Sequence, residues 1–225
     1  MPGLISVFIK SILKIMKTLK YLFLGIMLIA FVPFCNSQVP VKSKHVITLQ
    51  SVPANASDKA LSESREILMQ RLTFMNVRDV QISKNSAKSE LVITLSDTIS
   101  QTTLSEILLA RGNVSFKSDS SLFLNKVDIL EAHSDLSHPE LPALTITFRE
   151  NKWKELESMT ARNINKPIAF EIDGKVYSSP YVMDKIPNGK ISLTGGGLSK
   201  SEVRTLAAII SSGTMSLKFK IVDNK

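Results

Sequence analysis

The densest grouping of chemistry-bearing side chains in this 225-residue sequence is Glu131, His133, Asp135, His138 and Glu140. Imidazole and carboxylate are zinc ligands, but the spacing matches no zinc signature and Pro139 interrupts the run. The group reads as a solvated polar loop, and no metal ligand is assigned. Gly195, Gly196 and Gly197 stand between a strand-like and a helix-like stretch, as a phosphate cradle would. No Lys-Ser or Lys-Thr pair follows the last glycine directly, so the triplet reads as a tight turn or hinge. Asp173 and Asp184 offer an acid/base pair, yet Asp173 is already accounted for by the turn it opens with Gly174. No Ser-His-Asp set, nucleophile elbow or Cys-His pair can be assembled. No catalytic residue and no cofactor is assigned, and the chain reads as non-enzymatic.

Binding is the better-supported chemistry. Trp153, Phe170, Tyr177, Tyr181, Val182 and Met183 form an apolar, aromatic-rich set. Trp153 and Phe170 read first as core. Tyr177 and Tyr181 lie beyond a hairpin and near Pro180, where exposure is expected, so with Val182 and Met183 they are the candidate contacts for a polypeptide.

The amino terminus sets the compartment. Lys10, Lys14, Lys17 and Lys20 precede an apolar run of 14 residues, Tyr21 to Phe34, and no acidic residue occurs before Asp58. That run suits a secretory signal better than a span of the ~30 Å hydrocarbon core. A start at Met16 would give a compact basic segment directly before it. Three routes stay open: lipidation of Cys35, cleavage after Ser37, or retention of residues 1–37 as an anchor. All three place the body outside the cytoplasmic membrane, periplasmic or anchored on its outer side. Cys35 is the one cysteine, so the body holds no disulfide. Four of the 28 basic residues and none of the 20 acidic ones precede residue 38, leaving the body at +4. That excess concerns solubility, and no nucleic-acid signature accompanies it.

The elements that must position these residues follow a clear order. A strand from His45 to Gln50 leads into a helix from Asp58 with Leu61, Leu68, Leu72 and Met75 on one face. Strands follow at Val80–Ser83 and Leu91–Leu95, then a helix Leu104–Arg111 with a Thr103/Glu106 capping box and Gly112 behind it, then a strand Val114–Lys117. The order β-α-β-β-α-β is that of a ferredoxin-like α+β layer. Residues 118–142 read as loop or a marginal extension. Beyond them come a strand at Leu144–Phe148, a helix Glu150–Ala161, a hairpin turning at Asp173-Gly174, and a helix capped by Ser199, Glu202 and Gly213. Met215–Val222 is the last strand.

Most of residues 45–222 resembles the first periplasmic domain of the SecD/SecDF family. The resemblance rests on Asn163-Ile164-Asn165-Lys166-Pro167, in which Asn165 stands where the family has glycine, and on Ile168–Gly174, Ile191–Gly195 and Ser201–Gly213. Arg65, Leu68, Arg71 and Leu72 are similar to the family's first helix. It implies a ferredoxin-like base with an inserted α+β head subdomain. The corresponding division is signal or anchor 1–37, base 38–118, head 119–194 and base return 195–225. The resemblance also implies a head that swings on hinges at Ser118 and Gly195, Gly196 and Gly197, and contact with emerging polypeptide. The family's Asp-Leu and Gly-Gly signature near the first strand is absent, and the family's membrane bundle lies outside these 225 residues. The expected role is an exported module that binds polypeptide segments or envelope and translocon proteins, in connection with export or folding. Membrane association would come through the amino-terminal segment or a lipid on Cys35. A docking subunit of an envelope complex is the alternative, and a hydrolase or metal-binding protein using His133 and His138 comes after it.

Overall fold

The computed structural model describes residues 44–96, 99–118, 121–138, 140–195 and 197–224. The basic-apolar segment, Cys35 and Gly196 lie outside them. These described residues form one compact unit.

The first layer is built from β1 (His45–Val52), α1 (Asp58–Phe74), β2 (Gln81–Asn85), β3 (Glu90–Leu95) and α2 (Gln101–Leu109). Its fourth strand is the last of the chain, β11 (Lys218–Asn224), and the sheet runs β11-β1-β3-β2 with every pair antiparallel. This is the ferredoxin-like order with a long excursion between its second helix and its final strand. Alternation makes the layer: Ile47 and Leu49 of β1 and Leu91, Ile93 and Leu95 of β3 are buried against Leu61, Leu68 and Leu72 of α1 and Leu104, Ile107 and Leu108 of α2. Each such burial contributes about 1.5–3 kcal/mol.

The strand expected to complete this layer, Val114–Lys117, does not. As β4 (Val114–Ser118) it pairs with β5 (Ser121–Asn125) and β8 (Ala169–Ile172), in a second sheet ordered β5-β4-β8-β9 with β9 at Lys175–Ser178. Alternation marks a strand, whereas sheet membership depends on which partner reaches it. The loop expected over 118–142 is also corrected. It holds β5 and β6 (Ile129–Asp135), and β6 joins β7 (Ala143–Phe148) and β10 (Lys190–Thr194) in a third sheet, β10-β7-β6. The sequence does not mark β6 as a strand because a register shift between Ile129 and Glu131 breaks its alternation, leaving only Ile129 and Ala132 buried.

Helices α3 (Trp153–Arg162) and α4 (Lys200–Ser212) complete the excursion. Its core gathers Phe116, Leu144, Ile146, Phe148, Leu156, Met159 and Phe170 with Val203, Leu206 and Ile210 of α4. Helix α4 also lies against α1 and α2, so it sits between the two cores. Its cap is the expected one, with reciprocal Ser199–Glu202 bonds and Gly213 at φ +100 behind it. The Thr103/Glu106 box is not formed. Ser100 caps α2 by accepting from the Thr103 amide at 3.2 Å, and Glu106 is used elsewhere. Asp173 and Gly174 turn the β8–β9 hairpin at φ +53 and +82, as a type I′ turn requires.

Candidate functional site

An apolar cleft of about 320 Å³ opens on the excursion, beside the segment from Pro180 to Ile186. Leu156 and Met159 of α3, Ile168, and Ile191 and Leu193 of β10 supply its other walls. Four hydrogen bonds fix the segment: Ile168 N–H to Pro180 O (3.0 Å), Val182 N–H to Lys166 O (3.0 Å), Asn165 N–H to Val182 O (2.8 Å) and Ile186 N–H to Thr160 Oγ1 (2.9 Å). Asn165 takes φ +62, a backbone state that asparagine tolerates better than most residues, which explains how it stands in a glycine's place. With its backbone pinned, the segment alternates as a strand does. Val182 points inward at 8 % exposure, while Tyr181 and Met183 stand out at 64 % and 82 %. Lys185 holds Glu157 at 3.1 Å on the rim.

The remaining members of the aromatic set do not line this cleft. Phe170 is fully buried, its ring 5.3 Å from Phe116 and 6.4 Å from Tyr177. In this conformation it is covered from solvent and packs against Phe116, which lines the cleft. Trp153 is half-buried, donates from Nε1 to Phe148 O at 3.0 Å, and lies over Gly189, where an added Cβ would come within 1.9 Å of Nε1. Tyr177 donates its hydroxyl to Glu106 Oε1 at 2.7 Å, tying β9 to α2, and burial together with that bond pushes its phenol well above the ordinary value. Ser118 ends β4, buried, with its hydroxyl on Asn163 Oδ1 at 2.8 Å. Gly195 and Gly197 take φ of +72 and +82 in the turn before α4.

The chain crosses between its two cores at 110–113 and 213–217, and a buried cation holds both crossings. Arg71, at 0 % exposure, donates Nε to Ser212 Oγ (3.0 Å), Nη1 to Ile107 O (2.9 Å) and to Ala110 O, and Nη2 to Arg111 O (3.1 Å) and Gly213 O (3.2 Å). Burial pushes its guanidinium down to about 10, with Asp173 acting the other way. From the opposite side the Asp173 carboxylate accepts the N–H groups of Arg111 (2.7 Å), Gly112 (3.1 Å) and Asn113 (2.9 Å). The sequence signal for Arg71 was its place on the apolar face of α1, one turn from Leu68 and beside Leu72. The cleft walls carry no joint signal in the sequence, since they come from five separated stretches.

His133 is exposed on β6 and His138 is exposed beyond it. Among the described residues no three His, Cys, Asp or Glu side chains gather as a metal site. Nor is any described helix long and apolar enough to cross a membrane.

The profile of the family described as the P1 head subdomain of SecDF matches residues 105–217, half of the chain. The chain belongs to the SecDF P1 head family. It is 25 % identical over 182 residues to protein translocase subunit SecD of Acidaminococcus fermentans, covering 80 % of this chain and 43 % of that one. A solved SecDF in a super-membrane-facing form superposes with TM-score 0.65 at 20 % identity, covering 92 % of this chain and 35 % of that one. A second solved chain, from work on SecDF as a membrane component that enhances protein export, superposes with TM-score 0.60 at 21 % identity. There the coverage is 79 % of this chain and 98 % of that one. This SecD-like chain therefore spans under half the length of that translocase subunit. Its mixed α/β fold with antiparallel sheets is the P1 fold, and it is related to protein translocase subunits. The cleft and its Pro180–Ile186 wall lie inside the matched P1 head segment.

Proposed function

We propose that this SecD-like chain is an exported, non-enzymatic domain that binds apolar segments of unfolded polypeptide on the outer side of the cytoplasmic membrane, in connection with protein export. The observation that carries the proposal is the cleft walled by Leu156, Met159, Ile168, Ile191 and Leu193, with Tyr181 and Met183 exposed at its mouth on a pinned backbone. Two large apolar side chains held in water on a segment with four anchoring bonds are surface made ready for a ligand. The relationship to translocase subunits makes polypeptide the natural ligand class. Attachment to the membrane through the amino-terminal segment or a lipid on Cys35 belongs to the same proposal.

The test is binding of a reduced and alkylated protein, unable to refold, to the purified chain and to its Met183→Glu and Tyr181→Asp variants. The native chain binds and both variants lose binding while their unfolding curves stay in place. Equal binding by all three would remove the cleft from the function.

A further inference from the structure

The edge of β10 forms part of the cleft wall. Strand β10 pairs with β7 on one side only, with Ile191 opposite Ile146 and Leu193 opposite Leu144. Phe148 donates its N–H to Gly189 O at 2.8 Å, which sets the phase of the ladder. Residues 189, 191 and 193 direct their backbone groups toward β7, and Lys190, Ser192 and Thr194 direct theirs away from it. The outward N–H of Lys190 is taken up by Asn188 Oδ1 at 3.4 Å. Among the described residues no hydrogen bond is made by the outward backbone groups of Ser192 and Thr194. Ile191, Ser192 and Leu193 all line the cleft, with the two apolar side chains on one face of the pleat and Ser192 on the other.

We infer that the occupant of the cleft is an extended segment that adds to β10 as a fourth strand of the β10-β7-β6 sheet, rather than a helix or a compact surface. This inference rests on the polypeptide-binding function proposed above and names its mode. The incoming backbone bonds to Ser192 and Thr194, and its alternate side chains drop beside Ile191 and Leu193 into the cleft, under Tyr181 and Met183. Main-chain bonding is blind to sequence, and the cleft asks only for apolar residues at alternate positions, which suits a site that meets many unfolded chains. Charge adds a direction. Lys190 is exposed at the start of the same edge, and among the described residues it has no ion-pair partner, while Lys185 on the rim is already paired with Glu157. A carboxylate opposite Lys190 is therefore favoured and an ammonium there is not.

The probe is a short synthetic peptide alternating leucine and serine with one terminal glutamate, and binding to the full chain is read by fluorescence anisotropy. N-methylation of the amides in one alternating frame removes the bonds to Ser192 and Thr194 and weakens binding about tenfold or more. Methylation in the other frame leaves it unchanged. Ser192→Pro reproduces the loss, because its N–H is not used by the β7 ladder, and exchanging the glutamate for lysine weakens binding. The methylated peptides test the native chain, so the outcome holds even if Ser192→Pro folds poorly. If both frames bind like the parent peptide while Met183→Glu abolishes binding, strand addition is overturned and the apolar site stands. If the parent peptide does not bind at all, both fall.

Discussion

Met183 and Phe170 show how differently two apolar residues of one candidate set are used. Met183 is exposed at 82 % and packs on nothing that folding requires, so Met183→Glu should change stability by no more than about 0.5 kcal/mol in urea unfolding. Phe170 is fully buried against Phe116 and Tyr177, and Phe170→Ala should cost about 3–5 kcal/mol by the same measurement. Both uses are legible in the sequence, which reads Phe170 as core and Met183 as a contact, but the inward turn of Val182, grouped there with Met183, is not. An alternating stretch has two faces, and only the sheet it joins decides which face is buried. Gly189 is a second case. Its φ of +66 and the Trp153 ring above it leave no room for a methyl group, so Gly189→Ala should displace the indole. A changed tryptophan emission spectrum checks this.

At the scale of elements, α4 is held at its start by Ser199 and Glu202, a cap legible from spacing alone. The Ser199 N–H, and then its hydroxyl, hold the Glu202 carboxyl below its ordinary value near 4.5. The unfolded chain lacks these bonds. The stabilisation is therefore complete above the ordinary value and lost as pH falls through the lower folded one. Solvent screening keeps it to a few tenths of a kcal/mol. Amide exchange across 200–204 should accelerate relative to the rest of α4 below that pH in the native chain, and Glu202→Gln should remove the pH dependence. Glu106 has the spacing of a similar box with Thr103, yet its carboxylate accepts from Tyr177 on β9. A cap competes with any tertiary donor that comes closer, and sequence spacing does not record those donors. Tyr177→Phe should cost about 1 kcal/mol and raise exchange where α2 meets β9.

At the scale of the whole molecule, two cores are joined by two crossings, with Arg71 on one side and Asp173 on the other. Arg71→Met would leave five acceptors without their cation, a loss of about 3 kcal/mol or more. Combined with Asp173→Asn, it should split one cooperative unfolding transition into two, seen as a divergence between Trp153 fluorescence and far-ultraviolet circular dichroism. Coincident curves in the double variant would show that α4 alone couples the cores. The sequence by itself determined the helices, most strands, the Asp173-Gly174 turn, the α4 cap and the kinship with SecDF, because these are fixed by residues a few positions apart or by ordered motifs. Only the tertiary structure decided that β4 leaves the first sheet for the second, that β10 keeps an open edge, and that a buried arginine clamps both crossings. Each of these depends on pairings between residues tens to more than a hundred positions apart, where competing partners leave no local trace.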